Sequence, residues 1–596
     1  MNGANVGFGY ASFLLGQVQQ VSISNPVEPR LGKKQFGVYA QDSWKITRRL
    51  TFDYGIRYDY STYLREQYGR APFFSPSAVN PKANRLGGTV YDGSGPGRCS
   101  CDVAHNYPFA VAPRLGVAYQ ITPKTVVRGG FGIVYSGTET NNQAAGGLAG
   151  SSNTIVAPSF GASVTTLSVG IPASFDPPPW PNYDPGQYPT GFPTPGAAAP
   201  LVDQNAGRPA RQYQWSVGVQ REIFKNLAVE ASYVGNLGVW WNAPILLNLN
   251  ELTPQILAAV GLDPTKAADQ AVLTSTLSSA TAIARGFNKP AYAGFPLGQT
   301  VAQALRPYPQ YTTIATYWDP LGKTWYNALQ MKATKRFSHG LSFVSTFAWS
   351  KSLTLGAEND PGAGTGGLAV ANDVMNRNTN KYLSLYDQPI QFNISANYTT
   401  PNLKTNKILS WLARDWTYGV YVAYRSGLPL EVPIAQNNPN LSNLLFQPTF
   451  ANRVPGQPLF LKDLNCHCFD PQTTVVLNPN AWVDPTTGQF GSSPAYYGDF
   501  RKQRRPQENM NLGRTWRIKE RATLNIRAEF TNVFNRSVVG DPANTNAKAQ
   551  VTRLPNGNIS GGFGSINATS SPTGTGTAAI VNLAPRNGTL VARFTF

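Results

Sequence analysis

The chain has 596 residues, 41% of them hydrophobic and only 14% charged, far below the roughly 25% charged residues of ordinary soluble domains. No run of about 18 apolar residues occurs, so a membrane role, if there is one, falls to strands and not to a helix. The formal charge of +19 is scattered, with its densest cluster, RKQRR, at 501–505. No zinc-finger, helix-turn-helix or basic-zipper pattern accompanies it. The expectation is therefore no nucleic-acid partner, and a solvated basic surface suited to anionic lipid headgroups.

The opening, MNGANVGFGYASFLLGQVQQ, has no basic leader, a short apolar run and no small-x-small cleavage site, so it does not read as a signal peptide. Either the protein is not exported or this is not its true beginning. Segment 12–24 is read as a first strand, followed by 36–46 and 49–60. In 49–60, Leu50, Phe52, Tyr54, Ile56, Tyr58 and Tyr60 alternate with Thr51, Asp53, Gly55, Arg57 and Asp59. A period of two is the strand period, with one apolar and one charged face. The pattern returns at 112–121, 125–136, 211–223, 226–236, 324–337, 340–352, 387–400, 414–427, 507–518, 522–535 and 588–596, for about 14 strands. Most exceed the roughly 5–6 residues of globular strands and suit the about 9–11 residues of tilted membrane strands.

The connections alternate in length. After residues 46, 121, 223, 337 and 518 the chain turns within a few residues, whereas 61–111, 137–210, 237–323, 353–386, 428–506 and 536–587 are long; 401–413 is intermediate. Short periplasmic turns and long extracellular loops are the arrangement of an outer-membrane barrel. The parity agrees, because the last strand, GTLVARFTF, then ends on the periplasmic side. It carries Leu590, Ala592, Phe594 and Phe596 on one face. Trp44, Tyr58, Tyr60, Tyr233, Trp349 and Trp416 lie near strand ends, where aromatic girdles form. The expected fold is all-β, an antiparallel transmembrane β-barrel in the cell outer membrane of a Gram-negative-type bacterium. Its partners would be outer-membrane lipid and an extracellular ligand of unread identity.

On the polar faces, Asp53, Arg57, Asp59, Arg128, Glu230, Arg527 and Glu529 are candidate lumen charges. They would line a solute path or touch a plug, or would be charges that a watery lumen tolerates. The cysteines form two clusters, Cys99 and Cys101 with His105, and Cys466 and Cys468 around His467. An even count in an oxidising compartment suits disulfides between loops. A thiolate–imidazole metal site and incidental loop residues are the other two readings.

Segment 263–285 reads as a helix capped by Asp263, started by Pro264 and ended by Gly286, with Leu273 and Leu277 one turn apart. Segment 175–196 is too proline-rich for regular structure; its aromatics suit a surface loop, or stacking on a sugar or peptide. GAGTGG at 362–367 lacks the strand-to-helix context of a dinucleotide site. Gly322-Lys323-Thr324 resembles a P-loop end, but Tyr317 stands where the first glycine belongs. With three histidines and no G-x-S-x-G or H-E-x-x-H, neither a catalytic site nor a cofactor is expected.

Several blocks resemble one family. GVYAQDSWKITRRLTFDYGIRYDY at 37–60 resembles the barrel of TonB-dependent outer-membrane receptors. FAVAPRLGVAYQITPKTVVRGGFGIVY at 109–135 looks like the next hairpin of that family. WYNALQMKATKRFSHGLSFVSTFAWSKSL at 325–353 is similar to a hairpin of its Oar-like subgroup, and LNIRAEFTNVFNRS at 524–537 to its penultimate strand. The resemblance implies a barrel of about 22 strands around a plug, coupled by the TonB complex to inner-membrane energy. It also implies a terminal aromatic signal, here Phe594 and Phe596, for the barrel assembly machinery. This sequence departs from the pattern in its strand count and in having nothing plug-like before residue 30. It therefore reads as the C-terminal part of a receptor, reaching TonB only through missing N-terminal parts. The alternatives are a self-contained 14-stranded passive porin-like channel and a surface adhesion protein.

Overall fold

Alternating apolar and polar residues extend the chain into strands, and short turns bring each strand back beside its predecessor. The computed structural model describes the chain except for residues 1–8, 25–29, 137–151, 158–161, 177–180, 317, 357–371, 402–406, 437–448, 467, 519–521 and 567–584. Thus 362–367, Tyr317 and His467 lie outside the described residues. The long strands are β1 (Gln35–Lys45), β2 (Leu50–Ser61), β3 (Ala110–Thr122), β4 (Thr125–Tyr135), β5 (Arg211–Phe224), β6 (Leu227–Trp241), β7 (Gly322–Ser338), β8 (Leu341–Leu355), β9 (Ile390–Thr399), β10 (Trp416–Arg425), β11 (Gln507–Ile518), β12 (Ala522–Thr531) and β13 (Asn587–Thr595). They form one meander in chain order, every neighbouring pair antiparallel. A fourteenth, short strand, Lys381–Leu383, pairs with the upper end of β8.

These thirteen strands are the predicted ones, some longer than expected; β6 runs to Trp241. One of the expected strands is missing, and the sheet is open. Segment 12–24 is not a wall strand. Residues Gly9–Leu14 form helix α1, ended where Gly16 turns with φ +67°, and Gln20–Ser24 pairs with Ser152–Val156 in a loop. Nor does the sheet close: among the described residues nothing pairs with the outer edge of β1 or of β13. With an odd number of strands in an antiparallel meander, the first and last run in the same direction. Antiparallel closure then requires another strand.

Short turns gather at one end of the sheet and long loops at the other, as the sequence predicts. At the β7–β8 turn, His339 and Gly340 take φ +51° and +80°. A Cβ on Gly340 would lie 2.3 Å from the Thr399 carbonyl oxygen on the next hairpin, so the turn needs glycine. The buried apolar clusters lie mostly in the loops. One gathers Leu430, Val432, Phe450, Val476, Leu477, Trp482 and Phe500 with Phe563. A second is built from α2 (Pro254–Ala259), α3 (Ala267–Thr274), α4 (Ala280–Ala284) and α5 (Val301–Leu305), around Leu257, Leu273, Leu277 and Val301. The periplasmic-type turn between β9 and β10 holds α6 (Lys407–Ala413).

The expected helix over 263–285 is two helices, because Ser275–Ser279 leaves the helical path and Ser279 caps α4 by accepting from the Ala282 amide. Asp263 does not cap: it accepts from Thr265, while Asp269 takes the Asp263 amide at 3.0 Å. Local hydroxyl and carboxylate bonds of this kind compete with the helix backbone. Leu273 and Leu277 are nonetheless both buried in one core.

Candidate functional site

The register sorts side chains across the whole wall. Phe52 of β2 shares a row with Val117, Val217, Tyr233, Leu329 and Trp349, and Tyr54 a row with Leu115, Phe131 and Trp215; Met331 and Phe347 pair in a further row of the same face. This face is apolar, and its large side chains stand uncovered by protein: Ile56, Val217, Met331 and Trp349 are all exposed. A soluble sheet would bury such a face.

The opposite face is polar. The register puts Asp53, Arg57, Asp59, Arg128, Glu230, Arg527 and Glu529 together on it. Asp53 sits across from Gly116, Arg128 from Gly218, Asp59 from Gly37, and Arg527 from Gly513. The glycines are spatial partners of the charges. A Cβ on Gly37 would meet the Asp59 carboxylate at 2.8 Å, and one on Gly513 would meet the Arg527 Cβ at 2.8 Å. Along one strand, Arg57 pairs with Asp59 at 2.8 Å and Arg527 with Glu529 at 2.6 Å. Glu230 lies between Gln220 and Lys332. Charges that the sequence reading did not single out share this face: Arg114 opposite Gly55, Lys332 opposite Glu230, and Arg593 opposite Asn525. Their places in the two-residue alternation were the available signal. The acidic residues of the apolar rows have local partners, a hydrogen-bond donor for Asp42 and a counter-charge for Glu508. Tyr54 donates to Asp42 at 3.0 Å, and Glu508 takes Arg536 at 2.8 Å and Tyr424 at 3.1 Å.

The loops at the strand tops form a packed layer with its own polar interior. Tyr311 is fully buried; its hydroxyl donates to the Gly87 carbonyl at 2.7 Å, and burial pushes its pKa up to about 12. Asn250 donates to the Tyr311 carbonyl at 2.8 Å, and Gln303 does so at 2.9 Å. Asp319 is fully buried, and burial raises its carboxyl to about 7. Burial, with Asp373 nearby, does the same for Glu251. A cleft of about 710 Å³ opens between residues 30–34 and the first loop. There Glu66 receives the amides of Arg30, Tyr68 and Arg70 and the Arg70 guanidinium. Burial works against its ionisation, but these donors prevail and hold its pKa below the usual value.

Other singled-out residues lie in this layer. Tyr183 and Phe192, from the proline-rich segment, pack edge-on to Tyr91 at 5.1 Å and stacked on Tyr292 at 5.4 Å. They are part of the loop packing. In the basic cluster, Arg501 pairs with Asp387 and Lys502 with Asp541, each at 2.6 Å. The cysteines do not bridge loops. Cys99 is bonded to Cys101 and Cys466 to Cys468, each pair two residues apart with 5.1 Å between Cα atoms. The nearest thiol in each case is the one in the same cluster, so these four thiols are not free to hold a metal, and no loop is tied to another by them. His105 is placed by backbone, its amide donating to the Gln204 carbonyl at 2.8 Å.

A one-chain antiparallel meander with an uncovered apolar face, a charged opposite face and loops sorted by length defines a membrane β-wall. The chain belongs to the outer membrane β-barrel domain family, whose model matches residues 1–580, and its place is the bacterial outer membrane. No curated protein matches the sequence. Among solved structures it is similar to the ferripyoverdine receptor of Pseudomonas aeruginosa, at 9% identity and TM-score 0.34, over 85% of this chain and 36% of that one. It is also similar to the ferric-catecholate import receptor Fiu of E. coli, at 11% identity and TM-score 0.32, over 85% and 41%. The copper transporter OprC matches at 9% identity and TM-score 0.33, over 95% and 48%. The chain thus spans between a third and a half of the length of these structures.

Proposed function

We propose that this chain is the C-terminal wall of an Oar-like TonB-dependent receptor, whose complete form binds a ligand at its extracellular loops and takes it across the outer membrane. The observation that carries the reading is the parity of the wall. Among the described residues the meander has thirteen antiparallel strands and two open edges, so an odd number of further strands would close it. Nine more would make the roughly 22 strands of an outer-membrane transporter barrel. The sequence blocks at 37–60, 109–135, 325–353 and 524–537 support the same family. In this reading the apolar rows meet lipid, and the charges from Asp53 to Glu529 line the lumen, where a plug or solute passes. Phe594 and Phe596, stacked at 5.8 Å on the last strand, present the assembly signal. The fourteenth wall strand that a self-contained porin would need is not supplied by 12–24, which lies among the loops.

The test compares cells expressing the complete reading frame with cells expressing these residues alone. Labelled iron chelates, oligosaccharides and oligopeptides serve as probes. The expected result is uptake of one probe class by the complete protein only, abolished by a protonophore. Uptake by the chain alone that survives the protonophore, with unitary conductance steps in a planar bilayer, would assign a passive channel instead.

A further inference from the structure

The β9–β10 connection is the odd one among the short turns, being longer and containing α6 (Lys407–Ala413), with the sequence KILSWLA. At about 100° per residue, Ile408, Leu409, Trp411 and Leu412 fall within one arc of about 160°. Ser410 and Arg414 fall on the other side. The aliphatic side chains of this arc are largely solvent-exposed: Ile408 is 73% exposed and Leu409 55%. A free helix of this length would not persist in water, so contacts with the wall must hold it.

Those contacts run through Arg514 of β11. The register places Arg514 in an apolar row, between Trp416 and Ile526. Its guanidinium lies over Trp411 at 4.7 Å, Trp516 at 5.2 Å and Trp416 at 5.5 Å, and it donates to the Trp411 carbonyl. Trp416 donates from its indole to the Leu412 carbonyl at 2.8 Å. One cation among three indoles thus fastens α6 to the outer surface of the wall at its short-turn end. At this end of the wall Ile518 and Tyr418, from the apolar rows, are likewise exposed. Arg414, paired with Asp415, lies at the same level.

We propose that α6 is an interfacial anchor, lying in the headgroup–acyl boundary of the inner leaflet with Ile408, Leu409 and Leu412 among the acyl chains. Tryptophans concentrate at that depth because they join an apolar ring to a polar N–H. Basic residues beside them meet anionic headgroups. The occupant of the apolar arc is the phospholipid surface, and the inference rests on the membrane-spanning reading of the wall.

The test places an environment-sensitive dye on single introduced cysteines, L409C, S410C and V217C, in the full chain. The protein is reconstituted in phosphatidylethanolamine–phosphatidylglycerol vesicles that carry nitroxide lipids quenching either shallow or deep. The expected result is loss of L409C fluorescence mainly with the shallow quencher, loss of V217C fluorescence mainly with the deep one, and little loss at S410C. An unquenched L409C beside a quenched V217C overturns the anchor and keeps the wall. Equal quenching at Leu409 and Ser410 overturns the assignment of the face. Quenching at Leu409 with none at Val217 keeps the anchor and removes the spanning wall, and none at either position overturns both.

Discussion

Asp319 makes the loop layer sensitive to pH. It stands where the chain re-enters β7. Its amide donates to the Asn242 side chain at 3.0 Å, and its carbonyl accepts from Ala243 at 2.9 Å and from Leu321 at 2.7 Å. It therefore ties the exit of β6 to the entry of β7. Burial is the main reason its carboxyl titrates near 7 and not near the ordinary 3.8; Asp203 adds to the effect, while Thr316 and Arg377 oppose it. At about 1.4 kcal/mol per pH unit, that interval is worth on the order of 4 kcal/mol. The sign follows from proton uptake. Between about pH 4 and pH 7 the folded layer keeps a proton that the unfolded segment has released, so its stability falls as pH rises and levels off above about 7. Between pH 5 and pH 8 the loss should be about 3 kcal/mol, or roughly a hundredfold in the opening equilibrium. Hydrogen exchange of the Ala243 and Leu321 amides, corrected for intrinsic rates, measures it. Asp319→Asn should flatten the profile and protect these amides at pH 8. A variant that keeps the native slope would refute the reasoning.

The polar face gives a second expectation. Gly513→Val places side-chain atoms against Arg527 and should cost about 1–3 kcal/mol through overpacking, read as a lower temperature for loss of heat-modifiable migration in SDS gels. On β2, a membrane-impermeant thiol reagent should label D53C in the inserted protein and spare F52C; the reverse pattern would invert the faces. Leu273→Ala, at a fully buried site among α2 to α5, should cost about 2–5 kcal/mol. Faster proteolysis of residues 252–305 with an unchanged wall would show that this loop core is locally stabilised. Reducing the two Cys-x-Cys disulfides should leave the protease pattern of the loops nearly unchanged, because each closes a loop too short to constrain the unfolded chain much.

Much of the wall was legible because its signal is local. Alternation over 49–60 or 211–223 identifies a strand and both its faces without a partner, and the lengths of the connections fix which end each strand tip belongs to. The failures share a cause. Segment 12–24 carries enough apolar residues for a strand, but Gly16 and its pairing with 152–156 decide otherwise. Segment 263–285 has helical spacing, yet Ser275 to Ser279 form side-chain bonds that interrupt it. The four cysteines suggested bridges between loops, and spatial proximity chose the partner two residues away. The glycines opposite Asp53, Asp59, Arg128 and Arg527 carry no mark in the sequence, because they are defined only across strands.

The sequence by itself determined the membrane-wall character of this protein. Its period of two, its strand lengths and its alternating short and long connections are properties of contiguous residues, and they hold however the strands meet. The tertiary structure decided the register, and with it the meeting of charges with glycines and, among the described residues, the thirteen-strand meander with its open edges. It also decided that the buried core lies in the loops and that Arg514 holds a helix against the wall. Each of these depends on residues far apart in the chain coming within a few ångströms. That proximity is set by loop closure and packing across the whole molecule, and no local pattern encodes it.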